Sequence, residues 1–127
     1  MTNMKTQLLA MLLALSAAGV AAEPIQYINV EAAKSLHENG AQFIDTRSFI
    51  ETKFGMIEGS VRIPHDEIQD HQATIDKQKP VVLYCAVGGR AGKAAKTLHS
   101  LGYQQVHVIS DGQGFSDWED AGYPLEP

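Results

Sequence analysis

At residues 81–90 the chain reads VVLYCAVGGR. Up to Cys85 the stretch shows no alternation of polar and apolar side chains, which is typical of a central strand covered on both faces. From Arg90 the periodicity becomes helical over residues 90–101, and Gly102 follows where a glycine commonly ends a helix. The predicted inner side of that helix consists of Ala91, Ala94, Ala95, Leu98 and Leu101. The stretch therefore predicts a buried strand that passes directly into a helix.

The rest of the chain alternates between the same two patterns. Helical segments are predicted at Val30–Glu38, with Asn29 as N-cap and Gly40 at its end, and at residues 48–54, 68–75 and 116–121. Strands are predicted at Gln42–Asp45, at residues 61–63 and at Val106–Ile109. Strands separated by helices indicate an α/β fold with one central parallel sheet and helices on both faces. In such sheets the ligand site lies at the carboxyl ends of the strands, which is where Cys85 falls.

Residues 1–22 have the composition of a secretory signal peptide. A short polar start with one positive residue, Lys5, precedes the apolar run LLAMLLALSAAGV at residues 8–20. Small residues follow up to Ala22, where cleavage is expected. The run is short for a membrane span, which needs about 20 apolar residues, and an uncleaved membrane anchor is the alternative. We expect an exported, periplasmic protein in which residues 23–127 form one domain without stable membrane association after cleavage.

Charge and cysteine usage restrict the function further. The net charge is −5, and removal of residues 1–22 takes away only Lys5 and leaves −6. An acidic surface argues against nucleic-acid binding, which relies on clustered lysine and arginine. Cys85 is the only cysteine, so it cannot form a disulfide within the chain. A lone thiol in an exported protein is either a small buried side chain or a reactive group.

The loop at residues 85–90 combines the groups that favour a reactive thiol. Gly88 and Gly89 let the backbone approach a ligand closely, and a loop that enters a helix N-terminus directs amide N–H groups inward. Those groups stabilise a thiolate or a bound anion. Arg90 adds a permanent positive charge that can bind an oxyanion through two hydrogen bonds. We therefore predict Cys85 as the catalytic residue and a substrate-binding loop made of Ala86, Val87, Gly88, Gly89 and Arg90.

The remaining candidate residues receive structural interpretations. Asp45 and Arg47 are expected to orient loops through hydrogen bonds and ion pairs rather than to act on substrate. The aromatic side chains near the C-terminus, which are Phe115, Trp118 and Tyr123, are expected to pack in the core and over the site. The five histidines lack the spacing of a zinc site, so no metal is expected.

Several motifs of this chain resemble those of single-domain rhodaneses, and together they cover nearly the whole of residues 23–127. The family's active-site loop is similar to Cys85-x-x-Gly88-x-Arg90 with the Ala-Gly-Lys-Ala-Ala that follows. The other similar stretches are FIDTR at residues 43–47, GMIEGS at 55–60, Ile63-Pro64, GQGF at 112–115, Trp118 and AGYP at 121–124. Met56 stands in place of the family's usual histidine, and Gln113 stands within its usual glycine pair. With the predicted export signal, the chain looks most like the periplasmic phage-shock rhodaneses of bacteria.

The resemblance implies a rhodanese-like domain with thiosulfate sulfurtransferase activity. The Cys85 thiolate would take the outer sulfur of thiosulfate or a similar donor, become a persulfide, and pass that sulfur to cyanide or a thiol. The partners implied are therefore a small-molecule sulfur donor and such an acceptor. No metal and no organic cofactor is required by this chemistry.

Two other functions are compatible with the loop. Cysteine phosphatases related to this fold place five residues between Cys and Arg, whereas four separate Cys85 from Arg90. The narrower loop suits a single sulfur better than a phosphoryl group, and no Asp or Glu flanks it as the acid for a leaving group. The second alternative is a non-catalytic rhodanese-like binding or sulfide-relay module. Inactive members of the family commonly lack the cysteine that this chain keeps.

Overall fold

Seven short strands are found in the structure, a computed structural model that describes residues 23–126. They are β1 (Gln26–Ile28), β2 (Gln42–Asp45), β3 (Met56–Ile57), β4 (Val61–Arg62), β5 (Val81–Tyr84), β6 (Val106–Ile109) and β7 (Leu125–Glu126). Five of them form a parallel sheet in the order β1, β6, β5, β2, β4, while β3 and β7 form a separate antiparallel pair. The α/β class and the central parallel sheet are confirmed.

Helices connect the strands, and side-chain capping explains where two of them begin. They are α1 (Val30–Glu38), α2 (Phe49–Thr52), a 3-10 helix (Gln69–Thr74), α3 (Gly89–Ser100) and α4 (Phe115–Asp120). α1 begins at Val30 because the Asn29 side chain accepts a hydrogen bond from the Ala32 amide at 2.9 Å. α2 begins at a capping box, in which the side chains of Ser48 and Glu51 each accept a hydrogen bond from the other's amide.

The central strand β5 contacts an apolar core on each face of the sheet. Val81 and Leu83 pack with α3 in one core, while Val82 and Tyr84 pack with α1 and α4 in the other, because successive strand residues point to opposite faces. All four side chains are fully buried, and each burial of this size stabilises the fold by roughly 2 kcal/mol. The absence of polar alternation in this run therefore reflects a sheet that is covered on both sides.

The structure differs from the sequence prediction in its shortest elements. β1, β3 and β7 were not predicted, because two or three partly exposed residues are too few to display a strand periodicity. Residues 68–75 form a 3-10 helix over Gln69–Thr74, and only the flanking Ile68 and Ile75 are buried. With a buried residue at each end and none between, the segment has no apolar helical face that would favour a longer α-helix.

Within residues 23–126, no helix combines the length and apolar character needed to cross a membrane. The predicted signal peptide at residues 1–22 lies outside the described residues.

Candidate active site

The loop at residues 85–90 joins the carboxyl end of the central strand β5 to the N-terminus of α3. Gly88 is the N-cap of α3 and has a φ of 98°, a left-handed conformation that favours glycine. A Cβ at this position would also lie 3.3 Å from the carbonyl oxygen of Ile109 and 3.3 Å from Ser110. The sharp turn from strand to helix therefore depends on the absence of a side chain at Gly88.

The sulfur of Cys85 faces the N-terminus of α3. Its Sγ accepts hydrogen bonds from the Gly88 amide at 3.0 Å and from the Ala91 amide at 3.5 Å. The N-cap glycine supplies no side-chain acceptor, so the sulfur takes amide groups that the start of a helix leaves without partners. Cys85 is 1 % exposed, as an inert core cysteine would be. A purely apolar core, however, provides no such donors, and these amides stabilise the sulfur when it carries negative charge.

Further amides of the same loop can bind an anion. In the part of the chain that the structure describes, the N–H groups of Val87, Gly89 and Arg90 donate to no protein acceptor. Gly89 and Arg90 begin α3, where amide groups point out of the helix end. The loop can therefore stabilise negative charge on Cys85 and on a group attached to its sulfur.

Arg90, the one basic residue of the loop, binds Glu51 of α2. The two terminal guanidinium nitrogens donate to the two carboxylate oxygens at 2.6 and 2.8 Å, and about a third of each side chain is exposed (34 % and 35 %). The pKa of Arg90 is raised above its ordinary value, mainly by the hydrogen bond to Glu51 and in smaller part by Cys85. The bidentate geometry that the sequence suggests for an oxyanion is thus occupied by a carboxylate of the chain itself.

Glu51 is the residue of this site that sequence reasoning missed, because it lies far from the loop in sequence and beside Arg90 in the structure. Because β2 and β5 are adjacent parallel strands, the segments that follow them leave the sheet at the same edge. The hydrogen bonds from Arg90 and then from Ser48 lower the pKa of Glu51 to about 2. Glu51 is therefore ionised at neutral pH and has no proton to give to a leaving group.

Asp45 and Arg47 form a buried ion pair. The guanidinium of Arg47 donates to the Asp45 carboxylate at 2.8 to 3.1 Å and to the carbonyl oxygen of Gly55 at 2.9 Å. It also lies 4.0 Å from the centre of the Phe115 ring. These contacts join the end of β2 to the segment before β3 and to α4. They are the contacts that a loop-orienting pair requires, and that role stays a prediction.

The start of α4 supports the loop through backbone contacts. The amide of Phe115 donates to the carbonyl oxygen of Cys85 at 2.9 Å. Gly114 approaches so closely that a Cβ there would lie 2.0 Å from the carbonyl oxygen of Ala86 and 2.6 Å from that of Cys85. Only glycine allows this approach, which ties the position of the loop to the GQGF motif. The motif was visible in the sequence, but its contact with residues 85 and 86 was not.

The two departures from the rhodanese pattern have definite places in the structure. The side-chain oxygen of Gln113 accepts a hydrogen bond from the Val30 amide at 3.0 Å, which attaches the segment before α4 to the start of α1. Met56 lies in β3 and is paired with Glu126 of β7. Neither residue contacts the Cys85 sulfur through a hydrogen bond. Among residues 23–126, no three or more His, Cys, Asp or Glu side chains are grouped so that they could hold a metal ion.

The sequence of this chain is similar to that of a known protein family. The family model of the rhodanese-like domain matches residues 29–121. The chain is 34% identical over 104 residues to the thiosulfate sulfurtransferase GlpE of Pseudomonas paraeruginosa, a match that covers 82% of this chain and 92% of the relative. It is also 26% identical over 113 residues to the mitochondrial protein HIGH ARSENIC CONTENT 1 of Arabidopsis thaliana, with 80% of this chain and 66% of that protein covered.

Solved structures show the same fold. A rhodanese-related protein from Thermoplasma volcanium matches with a TM-score of 0.66 and 31% identity, covering 80% of this chain and 97% of that one. A protein from Rhodopseudomonas palustris, described as of unknown function and a possible tyrosine phosphatase, matches with a TM-score of 0.68 and 32% identity. That match covers 80% of this chain and 85% of the other.

Proposed function

This chain belongs to the family of rhodanese-like domains, and on that premise we propose that it is a sulfurtransferase that carries one sulfane sulfur on Cys85. Family membership and the GlpE relatives support a sulfurtransferase type of function. The finer proposal, transfer from thiosulfate or a similar donor through a persulfide, rests on one observation. The Cys85 sulfur accepts hydrogen bonds from the amides of Gly88 and Ala91 at a helix N-terminus.

The proposed cycle consists of two displacements at sulfur. In the first, the Cys85 thiolate attacks the outer sulfur of thiosulfate; the new S–S bond forms as the old one breaks, and sulfite leaves with the bonding electron pair. In the second, cyanide or a thiolate attacks the outer sulfur of the persulfide, and the electron pair of the S–S bond returns to Cys85. Charge and electron count balance in both steps, so no external oxidant or reductant takes part. The division into two steps is typical of covalent catalysis.

The loop supplies the electrostatic part of this cycle. The persulfide carries its negative charge one atom farther from the backbone than the thiolate does. The amides of Val87, Gly89 and Arg90, which have no protein acceptor among residues 23–126, are the donors available to that outer sulfur. Donors that are fixed before the charge moves stabilise the anion without reorganisation. Arg90 holds the loop against α2 through Glu51.

Hydrolysis of phosphate esters fits the same loop less well. Four residues separate Cys85 from Arg90, one fewer than in the phosphatases that share this fold. Among residues 23–126, the one carboxyl group bound by a side chain of the loop is that of Glu51. Arg90 lowers its pKa to about 2, so it lacks the proton that an alkoxide leaving group needs. Both features favour transfer of sulfur over transfer of a phosphoryl group.

The proposal includes export to the periplasm with cleavage after Ala22. It is supported by the order of polar start, apolar run and small residues within residues 1–22. The N-terminal sequence of protein isolated from the periplasmic fraction tests it. Glu23 as the first residue is the expected result, and recovery of the uncleaved chain in the membrane fraction would overturn it.

Thiocyanate formation from thiosulfate and cyanide tests the enzymatic proposal. The wild type is expected to form thiocyanate with ping-pong kinetics, whereas Cys85→Ser, with fluorescence of the buried Trp118 showing an intact fold, is expected to form none above the uncatalysed rate. Hydrolysis of p-nitrophenyl phosphate is measured in parallel. Phosphate release without sulfur transfer would replace the proposal by a phosphatase, and the absence of both activities would leave a non-catalytic binding or relay module.

A further inference from the structure

The ion pair between Glu51 and Arg90 neutralises the one basic side chain of the active-site loop. Both carboxylate oxygens are bound by Arg90, at 2.6 and 2.8 Å. Glu51 is fixed in this place from its other side as well, because one of those oxygens accepts hydrogen bonds from the amide and the hydroxyl of Ser48 at 3.1 and 2.9 Å. The loop contains no second lysine or arginine. An incoming donor therefore meets backbone amides and a neutralised arginine.

Apolar side chains lie exposed on both elements that this ion pair connects. On and directly after α2, Phe49 is 60 % exposed, Ile50 71 % and Phe54 88 %. On the loop itself, Val87 is 69 % exposed. α2 has no buried residue, so its attachment to the loop through Glu51 does not serve to bury an apolar face. Large apolar side chains left in solvent beside a binding site are typical of contact with an apolar part of a ligand.

We propose that Glu51 is a specificity-determining residue that acts through Arg90: it lowers the affinity of the site for dianionic donors such as thiosulfate, and favours organic sulfane donors that carry less charge and an apolar group. The inference deepens the proposed sulfurtransferase function and rests on it. Glu51 lowers the affinity for a dianionic donor in two ways, since it neutralises Arg90 and adds its own negative charge near the donor. The exposed side chains of Ile50 and Val87 supply the apolar contact that a charged donor does not use.

Thiosulfate and benzenethiosulfonate form a matched pair of probes. Both give up a terminal sulfur from a sulfonyl sulfur, so the Cys85 thiolate makes and breaks the same kind of S–S bond, and sulfite or benzenesulfinate leaves with the electron pair. They differ in that a phenyl ring replaces one charged oxygen. The ratio of kcat/KM for the two donors therefore reports donor charge and apolar contact and is independent of the acceptor step.

The test compares this ratio in the wild type, Glu51→Gln and Glu38→Gln. The Gln side chain keeps an oxygen that can accept hydrogen bonds from Ser48 and Arg90. Gln also occurs in place of Glu in capping boxes, so α2 is expected to begin at the same residue. Glu38 provides a matched control, because it too pairs with a cation, in its case Lys34, and lies at the end of α1 that precedes β2, at the opposite edge of the sheet from the loop. The wild type is expected to prefer benzenethiosulfonate. Glu51→Gln is expected to shift the ratio toward thiosulfate by about tenfold, and less at high salt, while Glu38→Gln leaves it unchanged.

Arg90→Gln shows whether Glu51 acts through the arginine. In the Arg90→Gln background, the additional change Glu51→Gln is expected to shift the donor ratio by much less than it does in the wild type, because no cation is left to release. An equal loss of kcat/KM with both donors in Glu51→Gln would show a purely structural role and overturn the inference. That outcome is distinct from failure of the proposed function, in which the wild type transfers no sulfur from either donor.

Discussion

Replacement of Gly114 by alanine is expected to be the most damaging single-methyl change near the active site. A Cβ at Gly114 would lie 2.0 Å from the carbonyl oxygen of Ala86 and 2.4 Å from its carbonyl carbon. Real Cβ atoms essentially never approach closer than 3.0 Å, so one backbone segment has to move by at least about 1 Å. The φ of −168° at Gly114 is extended backbone that any residue adopts, so the whole cost is steric.

The magnitude follows from what this movement disrupts. Overpacking of a rigid site costs roughly 2 kcal/mol, and loss of the hydrogen bond from the Phe115 amide to the Cys85 carbonyl oxygen adds about 1 kcal/mol. A total of about 3 kcal/mol lowers the Tm of a domain of this size by about 15 °C. Urea unfolding measures the free energy, and thermal unfolding measures the Tm. Both can be monitored by circular dichroism and by the fluorescence of Trp118, which is the single tryptophan and is fully buried.

Gly92→Ala is the matched control for this substitution. Gly92 lies inside α3, a Cβ there would meet no atom within 4 Å, and its φ is negative. Alanine at this position is expected to stabilise the chain by up to about 1 kcal/mol, because glycine is the poorer helix former. α4 would not be needed to position the loop if Gly114→Ala kept full sulfur transfer and its free energy of unfolding lay within about 1 kcal/mol of the wild-type value.

Three further expectations concern stability. Tyr84→Phe leaves the buried Ile57 amide without the hydroxyl that accepts from it at 3.0 Å, so the free energy of unfolding in urea should fall by about 1.5 kcal/mol; an unchanged value would contradict this. Asp45→Asn leaves the buried Arg47 guanidinium without a counter-charge and should lower the free energy of unfolding by about 3 kcal/mol. A decrease of less than about 1 kcal/mol would show that the ion pair is dispensable for stability. The pKa of Glu51 is held at about 2, below the 4.5 of the unfolded chain, so its carboxylate stabilises the fold above pH 4.5 and that contribution is lost as the pH falls toward 2. Because the side chain is about a third exposed, the contribution is about 0.5 kcal/mol, and acid titrations of stability should show a smaller loss for Glu51→Gln than for the wild type.

The sequence was sufficient for those features that depend on neighbouring residues. The strand before Cys85, the helix after Arg90 and the N-cap at Asn29 arise from local apolar periodicity and local hydrogen bonds, and the structure shows all three. The chemistry expected of the loop also depended on residues close in sequence, since the donors to the Cys85 sulfur are the amides of residues 88 and 91.

The contacts that were missed depend on which strands are neighbours. Glu51 and Arg90 are 39 residues apart, and they meet because β2 lies beside β5 in the sheet. Gly114 meets Ala86 because β6, which precedes it, lies on the other side of β5. Periodicity identifies a strand but not its partners, so a carboxylate beside the loop and a glycine behind it could be found only once the strand order was known.

The central claim is that the Cys85 sulfur, held by two amides at the start of α3, is the atom that carries the transferred sulfur. The most direct test is the intact mass of the protein after brief incubation with benzenethiosulfonate or thiosulfate, followed by peptide mapping. We expect the wild type to gain the mass of one sulfur atom on the peptide that contains Cys85 and to lose it on addition of cyanide. Absence of this gain, or an equal gain in Cys85→Ser, would contradict the account.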